Sequence, residues 1–442
     1  MQWMERIGAN RVVLALSTAR LGDAVGNSIL FVVIPLYVAK LPAPWLPLPE
    51  TLRAGILISL FGLANAASQP AVGFLTDRID RYKPFILGGL LVMAASTLGY
   101  LFAARFIDLL VLRAIQGFGL ALTLPASLAL LTANSNRDNR GGAMGVYATS
   151  RMIGFAGGPM LGGILYDRLG FDSAFLAAAS LILLAMVLIQ LWIHDRTPEK
   201  TPKQRERVAF FDRRLLNGAV LGSALAVFAM ASAFSMVTPL EKQFNQRLDQ
   251  GAFAFGIAFS VMVVSRMAFQ VPLGRWSDHI GRKPLIIGGL ILMAPATILL
   301  GEVHTTLQLI ALRIVQGIGS AGVAAPAFAL AGDAAHDGST GRQLSMTTMG
   351  FGLGIASGPL IAGVLAITSF KLPFIAVGLI LLASAWVIHR HVPETVNENN
   401  DRASTDNKPT ETGSTGPAHS ATAASPHEPA VQRQTGTTDH NA

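Results

Sequence analysis

Twelve long apolar stretches, each nearly free of charge, dominate this chain of 442 residues. They fall near 12–38, 53–75, 84–104, 107–132, 142–165, 173–194, 215–239, 252–274, 284–301, 306–331, 343–367 and 372–389. Crossing the hydrocarbon core of a bilayer takes about 20 such residues as a helix, which satisfies its backbone polar groups internally. The expected fold is therefore an all-α membrane protein with twelve transmembrane helices. Only 14% of the residues are charged, against roughly 25% in a soluble domain. The first stretch is too long for a signal peptide, lacks a small-residue cleavage site after it, and is read as a retained span. With no cysteine there is no disulfide, thiolate metal site or cysteine nucleophile. His419, His427 and His440 are too scattered to hold an ion, so no metal is expected.

Three short motifs occur twice, in the same order. Gly73, Asp77, Arg78 and Arg81 recur as Gly274, Asp278, His279 and Arg282, an offset of 201. Arg113, Gln116, Gly117 and Gly119 recur as Arg313, Gln316, Gly317 and Gly319, and Gly154, Gly158 and Pro159 as Gly354, Gly358 and Pro359, both offset by 200. A register held through several apolar stretches implies two copies of one bundle, as in many secondary transporters. The expected organisation is a six-helix bundle at 1–194, a linker at 195–214, a second six-helix bundle at 215–391 and a tail at 392–442. The linker holds seven basic and four acidic side chains with Pro198 and Pro202. Around Val208 to Phe211 it suits an amphipathic helix on a membrane surface. The tail, lacking large apolar residues, is expected to be disordered.

Lys and Arg set the orientation. An even number of spans puts both termini on one side, and the segments on that side carry 22 Lys and Arg against seven opposite. By the positive-inside rule both termini are expected in the cytoplasm. The asymmetry accounts for the sequence pI near 10.0, so the basic balance is no sign of nucleic acid.

The doubled turn signature in a twelve-span frame resembles the major facilitator superfamily over roughly residues 10–390. The resemblance implies two pseudo-symmetric six-helix bundles that bind a small molecule between them and alternate which side is open. It also implies gating roles for Gly73, Asp77, Arg78, Arg81, Gly274, Asp278 and Arg282. Asp77 would meet the start of the eleventh helix and Asp278 that of the fifth, where a carboxylate faces the positive end of a helix dipole. The pattern's turn glycine is kept as Gly281 and replaced by Asp80 in the first copy, and Tyr82 stands where a basic residue is usual. Gly154, Gly158, Pro159, Gly162 and Gly163 in the fifth span resemble the antiporter motif. With Arg113 and Gln116 they point to the drug:proton antiporter branch. Small residues four apart also let helices approach closely, and the matching set Gly354, Gly358, Pro359 and Gly363 assigns part of that signal to packing.

An ionisable side chain at bilayer depth costs roughly 2.5–3.5 kcal/mol or more and so marks a pathway. Asp23 is the one acid placed clearly at depth; Arg20, Arg113, Arg151, Arg266 and Arg313 accompany it, and no histidine does. Asp23 is thus the expected proton carrier and Arg113 its expected modulator, since burial and a nearby cation act oppositely and with similar size on a carboxyl. A permanent pair with Arg20, three residues earlier on the same face, is the alternative. Asn27, Phe31, Asn65, Gln116, Tyr147, Arg151, Phe234, Met236, Arg266, Gln270 and Gln316 are the expected substrate-binding residues, a mixed surface suited to an amphipathic molecule. If the arginines face the cavity, they favour an anionic or zwitterionic cargo.

No Gly-x-x-x-x-Gly-Lys loop, His-Glu-x-x-His pair or nucleophile elbow occurs, so neither ATP-driven transport nor catalysis has a site. No cofactor is expected. The expected function is proton-coupled export of small amphipathic molecules by a monomer in a bacterial inner membrane. Its partners are a small-molecule substrate, the proton and the bilayer. The alternative is an uptake symporter or facilitator of a small solute.

Overall fold

The computed structural model describes residues 11–44, 47–79, 81–134, 140–193, 217–333 and 340–392. Twelve long helices run through them: α1 (Arg11–Val38), α2 (Glu50–Ile79), α3 (Lys83–Gly99), α4 (Phe106–Ala133), α5 (Arg140–Leu169), α6 (Phe171–Trp192), α7 (Gly218–Ser235), α8 (Ala252–Ile280), α9 (Arg282–Leu299), α10 (Thr306–Asp333), α11 (Thr340–Leu365) and α12 (Leu372–His391). The expected linker at 195–214 and the tail beyond Val392 lie outside the described residues.

Eleven helical stretches among the described residues are long and apolar enough to cross a membrane. The exception is α5, whose glycines, Arg151, Asp167 and Arg168 lower its hydropathy. Its small-residue faces pack on α1 and α8, while Ile153, Met160 and Leu161 stay exposed on the outer side.

Helix ends depart from the expected ones where turn chemistry overrides hydropathy. α8 runs past residue 274 to Ile280 and stops only where Gly281 takes φ 104°, a conformation glycine adopts without strain. α7 ends early, at Ser235, and the chain passes through a 3-10 turn (Thr238–Leu240) built on Pro239. A short helix then follows, Glu241–Leu248, closed by Asp249 at φ 47°. Hydropathy alone makes that stretch a plain connection.

Packing follows the repeat. α1 lies against α5 and α6, α3 against α4 and α6, and α2 against α4; α7 lies against α11 and α12, α9 against α10 and α12, and α8 against α10. The two six-helix bundles meet through α2 on α11 and α5 on α8. α1 begins and α12 ends at one face, the terminal face; the opposite face is the far face.

Candidate functional site

The seam between bundles is sealed toward the far face. There the Pro359 carbonyl abuts Gly55, the Pro159 carbonyl abuts Gly256, and the Ser59 hydroxyl donates to the Ala356 carbonyl. Asp167, in the last turn of α5, accepts from the backbone N–H groups of Ala252 (3.1 Å) and Phe253 (2.8 Å) at the start of α8. A carboxylate from one bundle thus caps a helix of the other. Lys242 on the short helix donates to Glu50 at 2.6 Å.

Followed toward the terminal face, the same helix faces come apart. On α5 the row Gly163, Pro159 and Ala156 is buried, while Thr149 and Gly145 are exposed; Ala66 on α2 and Met349 on α11 are exposed likewise. A cleft therefore opens to the terminal face. At its apex stand four phenylalanines: Phe31 stacks on Phe259 at 5.9 Å and meets Phe155 at 5.8 Å, and Phe234 meets Phe259 edge-on at 5.1 Å.

Beside them is a charged cluster. Arg20 and Asp23, three residues apart on α1, form a buried ion pair. The Arg20 guanidinium lies 5.9 Å from the Tyr147 ring of α5. Arg151, one turn further on, packs over Phe155 at 5.3 Å and is an electrostatic neighbour of Arg20, Asp23 and Arg266 of α8. Three cations and one acid, drawn from both bundles, therefore share this level. Arg20, Asp23, Tyr147, Thr123 and Ser127 line a cavity of about 20 Å³, the size of roughly one water. Asp23 Oδ1 and the Tyr147 hydroxyl have no hydrogen-bond partner among the described residues.

Arg113 is not brought to Asp23. It donates to Gln116 at 2.5 Å and packs over Phe61 at 4.6 Å. Gln116 in turn donates to Thr97 (3.0 Å) and accepts from the Tyr100 hydroxyl (3.0 Å). The second copy repeats the node: Arg313 donates to Gln316 (3.0 Å), Gln316 to Thr297 (2.9 Å), and Arg313 lies 5.5 Å from the Phe259 ring. Gln116 and Gln316 are thus buried inside their own bundles, tying neighbouring helices. This corrects their expected place in the cavity. The overlooked signal is Thr97 and Thr297, which obey the same offset of 200.

The other expected binding residues divide. Phe31 and Phe234 stand at the apex, Tyr147, Arg151 and Arg266 in the cluster. Asn65 and Gln270 are half-buried, each with its amide oxygen unpartnered among the described residues. Asn27 is buried, and Met236 is wholly inside the core at the end of α7.

Glycines of the fifth span split by role. A Cβ at Gly154, Gly158 or Gly162 would meet α1 backbone oxygens at 2.7–2.8 Å, whereas one at Gly163 would meet Ala252 and Phe253 of α8. Gly354 and Gly358 pack in the same way on α7. In the turn signature, Gly274 packs beside Ala325. Arg282 pairs with Asp278, with Asp333 at 3.1 Å, and with the Ser277 hydroxyl at 2.7 Å. Arg81 is exposed; Gly73, Asp77 and Arg78 lie on the last turns of α2 and their contacts fall outside the described structure.

One acid is not legible as a site in the sequence. Glu241 opens the short helix, is wholly buried, and has neither carboxyl oxygen hydrogen-bonded among the described residues. Its segment reads as a water-facing connection; the hint is Phe244, one turn on and equally buried.

Comparison with known proteins agrees with this architecture. The profile of the Major Facilitator Superfamily matches residues 16–269 and 223–426. The chain is 27% identical over 320 residues to a "Multi-drug resistance efflux pump PmrA homolog" of Lactococcus lactis subsp. lactis, covering 71% of this chain and 78% of that protein. It is 27% identical over 338 residues to "Multidrug resistance protein MdtG" of Enterobacter lignolyticus, covering 75% and 80%. Among solved structures, a bacterial homologue of the human lysosomal transporter Spinster, inward-facing and unoccupied, superposes with TM-score 0.71 at 14% identity over 85% of this chain and 95% of that one. A mutant of the nucleoside transporter NupG superposes with TM-score 0.70 at 12% identity, over 86% and 100%. Twelve helices in two mutually repeated bundles, with a profile match across most of their length, establish that the chain belongs to the major facilitator superfamily and is a multi-pass membrane transporter.

Proposed function

We propose that this transporter is a proton-coupled exporter of small amphipathic molecules in a bacterial inner membrane, with Asp23 as its proton carrier. The observation that carries the reading is the Arg20–Asp23 pair, buried beside a water-sized cavity within the first bundle and next to Arg151, which in turn neighbours Arg266 of the second. A carboxylate at that depth must be paired or protonated. Arg20 is its ion-pair partner and Arg151 a second neighbouring cation, and a proton taken up by the carboxylate frees both. The phenylalanines above supply an apolar wall and Asn65, Gln270 and Arg266 the polar contacts, a surface for drug-like cargo. Names of the efflux relatives support the direction.

The excess of basic residues around the terminal-face connections supports placing that face in the cytoplasm, which makes this an inward-open state. Asp77 and Asp278 then act in the opposite state, closing the cytoplasmic side against the starts of α11 and α5. The working unit is a monomer of two bundles, 1–194 and 215–391, joined by a cytoplasmic linker and followed by a tail.

A second reading, uptake of an anionic solute, draws on one observation: Arg20, Arg151 and Arg266 outnumber Asp23 at the apex. Inside-out and right-side-out vesicles with an imposed pH gradient separate the two. Export predicts proton-driven accumulation in inside-out vesicles only, abolished by Asp23→Asn in folded protein. Accumulation in right-side-out vesicles establishes uptake; an Asp23→Asn variant that still concentrates cargo at the parental rate removes Asp23 as the carrier.

A further inference from the structure

Glu241 has no part in the cycle described so far, and its surroundings are unusual for an acid. Its side chain is wholly buried, and neither oxygen has a partner among the described residues. Asn245, one turn along the short helix, is a polar neighbour that favours the charged form, though neither carboxyl oxygen meets hydrogen-bond geometry. Among the described residues no cation faces it. Lys242 of the same helix is engaged with Glu50, and Arg247 lies over Phe370 at 4.3 Å. From α5 come Tyr166 and Asp167, both electrostatic neighbours of Glu241. Asp167 is the carboxylate that caps α8. At this level α1 offers Tyr37, whose hydroxyl donates to the Tyr100 carbonyl, and the first turns of α8, from Ala252 to Val263, carry no ionisable side chain.

A buried acid from the second bundle thus has an exposed acid of the first, Asp167, as its electrostatic neighbour across the sealed part of the seam. A dry carboxylate with no partner, beside a second negative charge, is not a stable arrangement; a neutral carboxyl is. Opening the far face would part α5 from α8 and let water reach Glu241.

We propose that Glu241 is a second proton-binding site, which holds its proton while the far-face gate is closed and exchanges it with external water when the gate opens. The step is a simple protonation: the carboxylate takes one proton from outside water and becomes a carboxyl that the closed seam accepts. This proton gates and is not carried across. External acid therefore drives the transporter toward its inward-open state, and external alkali holds the far face open. The inference rests on the alternating-access reading with the terminal face in the cytoplasm, and it is independent of Asp23 as the transported-proton site.

The native chain has no cysteine, so Ala104→Cys and Leu307→Cys, both exposed at the far face on opposite bundles, give a spin-label pair without further engineering. Their distance distribution is recorded in lipid nanodiscs between about pH 5 and 9, bracketing the carboxyl and histidine range. In the parent, the longer distance is expected to gain as pH rises, by at most about tenfold in the open-to-closed ratio per pH unit for one proton. Glu241→Gln is expected to stay closed and lose that response; Glu241→Met, of similar length and apolar, replaces it if the amide does not fold. Asp23→Asn in the same labelled background is expected to keep the response. A parent whose far-face distances ignore pH overturns the proposal. So does a folded Glu241→Gln or Glu241→Met protein that keeps the parental response, or an Asp23→Asn protein that loses it. Vesicle transport decides the Asp23 reading separately, so each can fail alone.

Discussion

Gly157 and Gly158 are neighbours on α5 with opposite surroundings, which makes Gly158→Ala against Gly157→Ala a strict test of the motif. A Cβ at Gly157 meets nothing within 4 Å; at Gly158 it would lie 2.7 Å from the Val25 carbonyl oxygen and overlap the Ser28 side chain. A backbone oxygen cannot swing aside, so the strain falls in the overpacking range of about 1–3 kcal/mol. Displacing Ser28 also endangers its 3.1 Å bond to the Gly154 carbonyl, another ~1 kcal/mol. Against this, alanine improves on glycine in a helix by about 1 kcal/mol. Gly158→Ala is therefore expected to lose about 1–3 kcal/mol and Gly157→Ala to gain up to ~1, a separation of about 2–4 kcal/mol. Thermal unfolding of both variants and the parent, purified in one detergent, measures it. Equal midpoints for the two variants would show that α1 and α5 do not approach this closely. A normal midpoint for Gly158→Ala with leaking vesicles would instead assign the motif to sealing rather than packing.

Asp167→Ala strips the cap from α8, worth about 0.5–2 kcal/mol plus ~0.3–1 for the dipole; at fixed pH the far-face label pair should report an open-to-closed ratio raised about 4- to 160-fold. Glu50→Gln, by contrast, breaks an ion pair whose side chains are 37% and 32% exposed, so the same measurement should register less than about 1 kcal/mol. Gln316→Leu removes the acceptor of buried Arg313 and is expected to destabilise by about 1–3 kcal/mol in thermal unfolding, against ~1 for Thr297→Val. Arg113→Gln should leave the pH profile of transport where the parent has it, because Arg113 sits with Gln116 and not with Asp23; a displaced profile would restore it as the modulator.

The fold is legible because hydrophobic length and a 200-residue register are one-dimensional signals. Helix ends are less so, since α8 is stopped by the backbone freedom of Gly281 and α7 by Pro239, neither of which depends on hydropathy. For the site, the Arg20–Asp23 pair can be read from a three-residue spacing within one helix. Which arginine shares that space cannot: Arg113 and Arg151 lie on different helices, and only packing decides that α5 faces α1 there. Gln116 looks like a cavity amide because its partner Thr97 is on another helix. Glu241 and Asp167 are hidden for a related reason. Each borders a connection and reads as a water-facing charge until the two bundles are closed on each other.

At the two crossings of the seam, the carbonyls of Pro159 and Pro359 rest on Gly256 and Gly55 with no side chain between. Backbone on backbone is a bearing surface: it can roll without any rotamer having to change. Such a bearing is also easily jammed. A molecule wedged into either glycine socket would stall the cycle without entering the cargo path, so an inhibitor of this transporter need not resemble anything it carries.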